Sequence, residues 1–206
     1  MTDRDYLRQL RIPTTAEPLR VLMSACLAGI TCGYDGTANG EYPSALRILK
    51  YNTARVVRFC PEEWSFGSPR EMCDIHGGTG FDVLDGKAKL IAENGEDWSE
   101  GIIKASEKML ELAKQEQIEL AVLMDVSAAC GSQVIYSGSR FAENKTYQIG
   151  AGVAAAQLIR NGFKVISQRD YASLEIVYSK LDPTYTPDLS KIDHHEIAWY
   201  KEYFGV

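Results

Sequence analysis

Arg20-Val-Leu-Met-Ser24 is a short apolar run that stops at Cys26-Leu-Ala-Gly29, and reading it as a strand that ends in a loop decides the fold. The pattern recurs downstream. Ala54-Arg-Val-Val-Arg-Phe59 is β-branched and stops at Cys60-Pro61. Glu119-Leu-Ala-Val-Leu-Met124 runs into Asp125-Val-Ser-Ala-Ala-Cys-Gly131, and Phe163-Lys-Val-Ile166 is a further strand. Helical patterns fall between them. Pro43 to Tyr51 reads as a short helix with proline near its start. Ser99 to Gln117 carries Ile102, Ile103, Met109, Leu110 and Ala113 at helical spacing, with Ser99 as N-cap. Gly150 to Gly162 reads as a helix of small residues with Gly162 at C′, and Tyr171 to Tyr178 as a further helix. Strands separated by helices predict right-handed βαβ units in an α/β sandwich, its mainly parallel sheet of about four to five strands covered on both faces.

Around this frame, residues 1–19 read as an N-terminal arm, 20–180 as a single α/β domain and 181–206 as a linker and helix. The linker is Asp182 to Asp188 and the helix Leu189 to Phe204. Residues 61–98, rich in Gly, Pro, Asp and Ser, read as a long functional loop with a small hairpin over Phe81–Ile91 turning near Asp85-Gly86. Residues 132–148 read as a second polar loop.

The 206 residues suffice for a core that needs no disulfide or metal merely to fold. With 22 Lys and Arg against 28 Asp and Glu, the net charge of −6 argues against broad nucleic-acid binding. A local patch at Arg55, Arg58 and Arg70 and a thiolated tRNA substrate stay open as alternatives to a free small molecule. No apolar run approaches the ~20 residues of a membrane span. The opening Met1 to Tyr6 carries acids and no apolar stretch, so a cytoplasmic location is expected.

Five cysteines, with no CxxC pair, do not read as a disulfide framework, a dithiol or a zinc knuckle. Three of them converge. Ligands in parallel sheets bind beyond the carboxyl ends of the strands, and Cys26, Cys60 and Cys130 each follow a strand. Three separated thiolates at a cleft suit an iron–sulfur cubane with one iron left open for substrate. A single nucleophilic cysteine and buried structural thiols are the alternatives.

At these residues the chain resembles a family long described only as a domain of unknown function, which includes the bacterial thiouracil desulfurases. Ser24-Ala-Cys-Leu-Ala-Gly-Ile-Thr-Cys-Gly-Tyr-Asp-Gly36 is similar to its SACLLGxxCRYDG motif, and Cys60-Pro-Glu62 to its CPE motif. Ser68-Pro-Arg70 resembles PxPR, and Gly80-Phe-Asp-Val-Leu-Asp-Gly-Lys-Ala88 resembles GxDVxxGxA. Ser127-Ala-Ala-Cys-Gly131 resembles SPSCG, and Gly150-Ala-Gly-Val-Ala-Ala155 resembles GxGVTAA. The resemblance implies a Rossmann-like domain with a [4Fe-4S] cluster on Cys26, Cys60 and Cys130. It implies that the fourth iron takes the sulfur of a thiocarbonyl substrate, with sulfide leaving and water supplying oxygen. Glu62 is then the general acid/base, two residues from a ligand, unless it caps a helix or pairs with Arg70. Ser127 orients substrate or water, or caps its own turn. Tyr34, Asp35, Arg70 and Asp125 are the candidate substrate contacts.

The chain departs from the family's pattern at Gly33, Asp125, Ala128 and Ala129. Asp125 stands where the family often has lysine, which at a cluster edge disfavours an anionic substrate. Cys32 is a candidate fourth ligand, and Cys73 an inert thiol. His76 reads as a polar loop residue and His194-His195 as a solvated face or a turn. Trp199, Tyr200, Tyr203 and Phe204 read as a docked helix or dimer contact. Three functions follow in order: an iron–sulfur desulfurase acting on a thiolated nucleobase or thioamide, a cluster- or metal-binding sensor without turnover, and a metal-free cysteine hydrolase.

Overall fold

The computed structural model of the chain describes residues 4–38 and 42–206; the first three residues of the N-terminal arm lie outside them. Helix α1 (Arg4–Gln9) buries Leu7 and leads to strand β1 (Leu19–Ser24). Pro43 occupies the first turn of α2 (Pro43–Ile48), where its missing N–H costs nothing. Strand β2 (Ala54–Phe59) follows, then α3 (Pro61–Phe66), again opened by a proline. Next come β3 (Cys73–His76), α4 (Gly80–Leu84), β4 (Lys89–Ala92) and the long α5 (Ser99–Gln115). The chain continues through β5 (Leu120–Leu123), β6 (Val134–Tyr136), β7 (Tyr147–Ile149) and α6 (Val153–Arg160). It ends with β8 (Val165–Ser167), α7 (Tyr171–Leu181) and α8 (Ala198–Phe204).

The main sheet has the order β2-β1-β5-β8, and every pairing is parallel. Alternate residues of a strand face opposite sides, so the continuous apolar runs cover two cores. Leu22, Ala121 and Leu123 face the core formed with α5 and α6. Val21, Met23, Leu120 and Val122 face the core formed with α1, α2 and α7, where Leu7, Ile48 and Leu174 are fully buried. Helices α1 and α7 therefore pack on the same face of the sheet.

Four readings of the sequence are corrected. Residues 81–91 form no hairpin: Phe81 to Leu84 lie in α4, and β4 pairs antiparallel with β3. Asp82 Oδ2 accepts from Thr79 N and Oγ1 and so starts a helix, while Gly86, at φ 71°, ends it. Ser99 is the first helical residue rather than the N-cap; its amide donates to Asp97 Oδ1 and its hydroxyl accepts from Leu90 N. The 132–148 stretch contains the antiparallel pair β6-β7. The last helix begins only at Ala198, since Leu189 and Ile192 are exposed and bury no face. Gly162 does sit just past α6 with φ 83°.

Candidate active site

Three neighbouring strands deliver the site. β1 runs into a 3-10 turn, Ala25–Ala28, that carries Cys26 and is closed by Gly29 at φ 78°. β2 stops at Cys60, whose sulfur caps α3 by accepting from Glu63 N at 3.4 Å. β5 leads into the loop that carries Ser127 and Cys130. All three cysteines line one cleft of about 220 Å³ at the carboxyl edge of the sheet. Cys32 and Cys73 line it as well, and both are buried. Cys73, expected to be inert, is thus part of the wall; it opens β3, an element the sequence did not reveal.

The thiols crowd one another. Cys60 Sγ donates to the Cys32 carbonyl at 3.8 Å, and donation of the Cys32 thiol toward Cys26 is the main cause pushing the Cys32 pKa up to about 12. Cys60 is pushed up by its bond with Cys32 and by burial, and Cys130 and Cys73 foremost by burial. Such a pocket resists accumulating thiolates unless a soft cation compensates them. A single zinc ion would hold its sulfurs about 3.8 Å apart. Among the described residues no three of these sulfurs lie within 4.8 Å of one another. Soft donors spread over separate elements around the cleft fit a multi-iron cluster better than one ion.

Glu62 faces these thiols from the first turn of α3. Its Oε2 accepts from Arg70 Nη2 at 2.7 Å, and its Oε1 lies 3.4 Å from Ser127 Oγ. Arg70 is nearly sealed, its side chain 4% exposed, and also donates to the carbonyls of Cys32 and Gly67. Ser127 Oγ accepts from the amides of Cys130 and Ala129 at 3.1 and 3.3 Å, so it shapes the cysteine loop while facing Glu62. Tyr34 and Asp35 line the exposed rim, Asp35 turned onto Thr37, whose hydroxyl and amide hold its carboxyl below the usual range. Arg140 completes the wall with a bidentate ion pair to the buried Asp74 and a bond to the Cys73 carbonyl. It stands alone in a polar stretch, and no signal in the sequence marks it.

Asp125 is not a cleft residue. It is 1% exposed and does not line the cavity. Its Oδ1 accepts from the amides of Ser132, Gln133 and Val134, and its Oδ2 meets His194 Nδ1 at 2.6 Å. The expectation that its charge faces the substrate does not hold, because both carboxylate oxygens are engaged behind the loop. His194 is buried in a 3-10 turn, His194–Glu196, rather than solvated. His76 ends β3 outside the cavity lining. Arg55 pairs with Glu116 and Arg70 turns inward, so neither joins Arg58 in a surface patch. Asp170, Asp193 and His195 also converge, yet Ser167 and Gln133 already occupy Asp170, and Ser173 and Arg4 occupy Asp193. Tyr200 is buried, while Trp199 and Tyr203 stack on its helix beside Tyr147.

A parallel α/β sheet whose strand ends gather thiols, a carboxylate and a hydroxyl in one cleft defines a cysteine-centred α/β enzyme. The family described as 2-thiouracil desulfurase matches residues 21–170, and the chain belongs to that family of desulfurase enzymes. It is 38% identical over 152 residues to the uncharacterised protein YbbK of Bacillus subtilis (strain 168), covering 73% of this chain and 96% of that one. Among solved structures it is similar to TudS, a [4Fe-4S]-dependent thiouracil desulfidase. That likeness has a TM-score of 0.60 and 28% identity, over 78% of this chain and 98% of TudS. No helix among the described residues is long and apolar enough to cross a membrane.

Proposed function

We propose that this enzyme removes the sulfur of a thiolated nucleobase, with 2-thiouracil as the first candidate, using a [4Fe-4S] cluster on Cys26, Cys60 and Cys130. The observation that carries the reading is the delivery of these three cysteines, with Glu62 and Ser127, to one cleft by adjacent strand ends. The dependence of TudS on such a cluster supports it. Bound there, the cluster would supply a soft Lewis acid for the thiocarbonyl sulfur. The chain's own groups handle water and protons. Arg70 fixes the Glu62 carboxylate, and the amides of Ala129 and Cys130 fix the Ser127 hydroxyl facing it. Ser127 orients a water molecule. Glu62 takes a proton from it and returns one to the departing sulfur, so C=S and H₂O become C=O and H₂S with no net oxidation.

The test is iron and acid-labile sulfide per chain after anaerobic purification, with each cysteine changed to Ala in turn. About four of each per wild-type chain are expected, lost in the Cys26, Cys60 and Cys130 variants and kept in the Cys32 and Cys73 variants. Sulfide release from 2-thiouracil should follow the iron. Activity that survives chelators in iron-free protein would overturn the reading in favour of a nucleophilic cysteine.

A further inference from the structure

The family match ends at residue 170, and YbbK and TudS are covered almost end to end by part of this chain. The segment beyond the match, with α7, the 194–196 turn and α8, returns to the back of the cysteine loop. There Asp125 sits fully buried between the two. Its Oδ1 gathers the amides of Ser132, Gln133 and Val134, which closes the loop bearing Ser127 and Cys130. Its Oδ2 is 2.6 Å from Nδ1 of His194, itself 2% exposed. A ring nitrogen that close to a buried carboxylate carries the hydrogen, so His194 donates. A second carboxylate repeats the link: Asp170 accepts from Gln133 Nε2 in the loop and from the His194 amide. Stacking of the His194 ring on Trp199 at 8° fixes its plane. Val126 holds φ 56°, an unfavourable angle for a β-branched residue, so the loop needs outside support to keep this shape.

We propose that the segment beyond the family match is a clasp on the active-site loop, with His194 a positioning residue that acts through Asp125 on Ser127 and Cys130. A partner that orients a ligand-bearing group typically changes metal affinity or activity by about 10–100-fold when removed. The role in desulfuration rests on the function proposed above; the ordering of the loop does not.

The experiment uses the full chain with His194→Ala, His194→Asn and His194→Gln. An Asn amide reaches the Nδ1 position, whereas a Gln amide reaches the Nε2 position. Amide hydrogen exchange over residues 126–134 is measured in metal-free protein, then iron per chain, kcat and KM with 2-thiouracil. Ala and Gln are expected to speed exchange of the Ser132, Gln133 and Val134 amides about tenfold or more. They should lower kcat or iron content about 10–100-fold with little change in KM. Asn should restore both toward wild type. Unchanged loop exchange in the Ala variant overturns the clasp, and so does an Asn variant as defective as Gln. If the Ala variant does not fold, the Asn–Gln comparison decides alone. Wild-type protein that binds no iron would sink the proposed chemistry, while the exchange measurement would still judge the clasp.

Discussion

Glu62 is held on both sides. Arg70 takes one carboxylate oxygen at 2.7 Å, and Ser127 approaches the other at 3.4 Å. The arginine is nearly buried and ties the carboxylate to the Cys32 carbonyl, so the rotamer is set before substrate arrives. A Glu62→Gln change keeps the shape and the approach to Ser127 but cannot shuttle a proton. It is expected to lower kcat about 10²–10⁴-fold while iron per chain stays at the wild-type value. Steady-state sulfide release and iron analysis of the same preparation check both halves. A Gln variant with wild-type kcat would remove Glu62 from the reaction. Strand ends mark Cys26 and Cys60 in the sequence, and only the resemblance to the CPE and SPSCG motifs marks Glu62 and Ser127; the fold brings all four to one cleft. Asp125 departs from its expected place at this same scale, being buried outside the cleft. Its place next to the cysteine loop suggested a cleft charge, but the side chain's direction is set by three backbone amides and by a histidine 69 residues away.

At the scale of elements, helix α6 and the cysteine loop are fitted to each other without side chains between them. The amides of Gly152, Val153 and Ala154 donate to the carbonyls of Gly131, Ala128 and Ala129, so the free end of the helix is satisfied by the loop. This explains the small residues at 150–155 more directly than close approach to the sheet alone. A Cβ on Gly152 would stand 2.6 Å from Ala128 O, closer than real contacts allow. Gly152→Ala is therefore expected to cost about 1–3 kcal/mol by overpacking. Because backbone rather than a flexible side chain must give way, the same variant should bind less iron. Thermal unfolding and iron content measure the two effects, and a variant stable and fully loaded would show that the contact relaxes freely. The parallel sheet and its main helices were legible from period and from strand-end punctuation. The short elements between α3 and α5 were not, since β3, α4 and β4 are each four or five residues long. In such runs a capping pair like Thr79 and Asp82 carries the signal that hydrophobic period cannot.

Over the whole molecule, carboxylates tie down helix starts and both chain ends, and this sets how the fold responds to acid. Asp82 is held below its usual range by the Thr79 amide and hydroxyl. Asp97 is lowered to about 2 by Lys89 and then Ser99 at the start of α5. Glu196 is lowered by the Asp193 amide and then by Arg4, joining the two ends of the chain. A carboxyl with a depressed folded pKa stabilises fully above its unfolded value, about 3.9 for Asp and 4.3 for Glu. That contribution is lost as pH falls through the window below it, because the unfolded chain then binds more protons. Asp170 has the opposite sign: burial raises it, so the folded form takes up its proton first. The lowered groups outnumber it, but most are exposed and individually screened, so the net slope is modest. The melting temperature is therefore expected to be flat from about pH 7 to 5 and to fall between about pH 4 and 2.5. An Asp82→Asn, Asp97→Asn double variant should start lower at neutral pH and lose less across the acid range, since it has no such protons to gain. Thermal melts of both proteins in metal-free form isolate this effect from any loss of iron. Parallel acid slopes in the two proteins would mean that these helix-start carboxylates do not govern the response, leaving the Arg4 junction between the chain ends as the group to vary next.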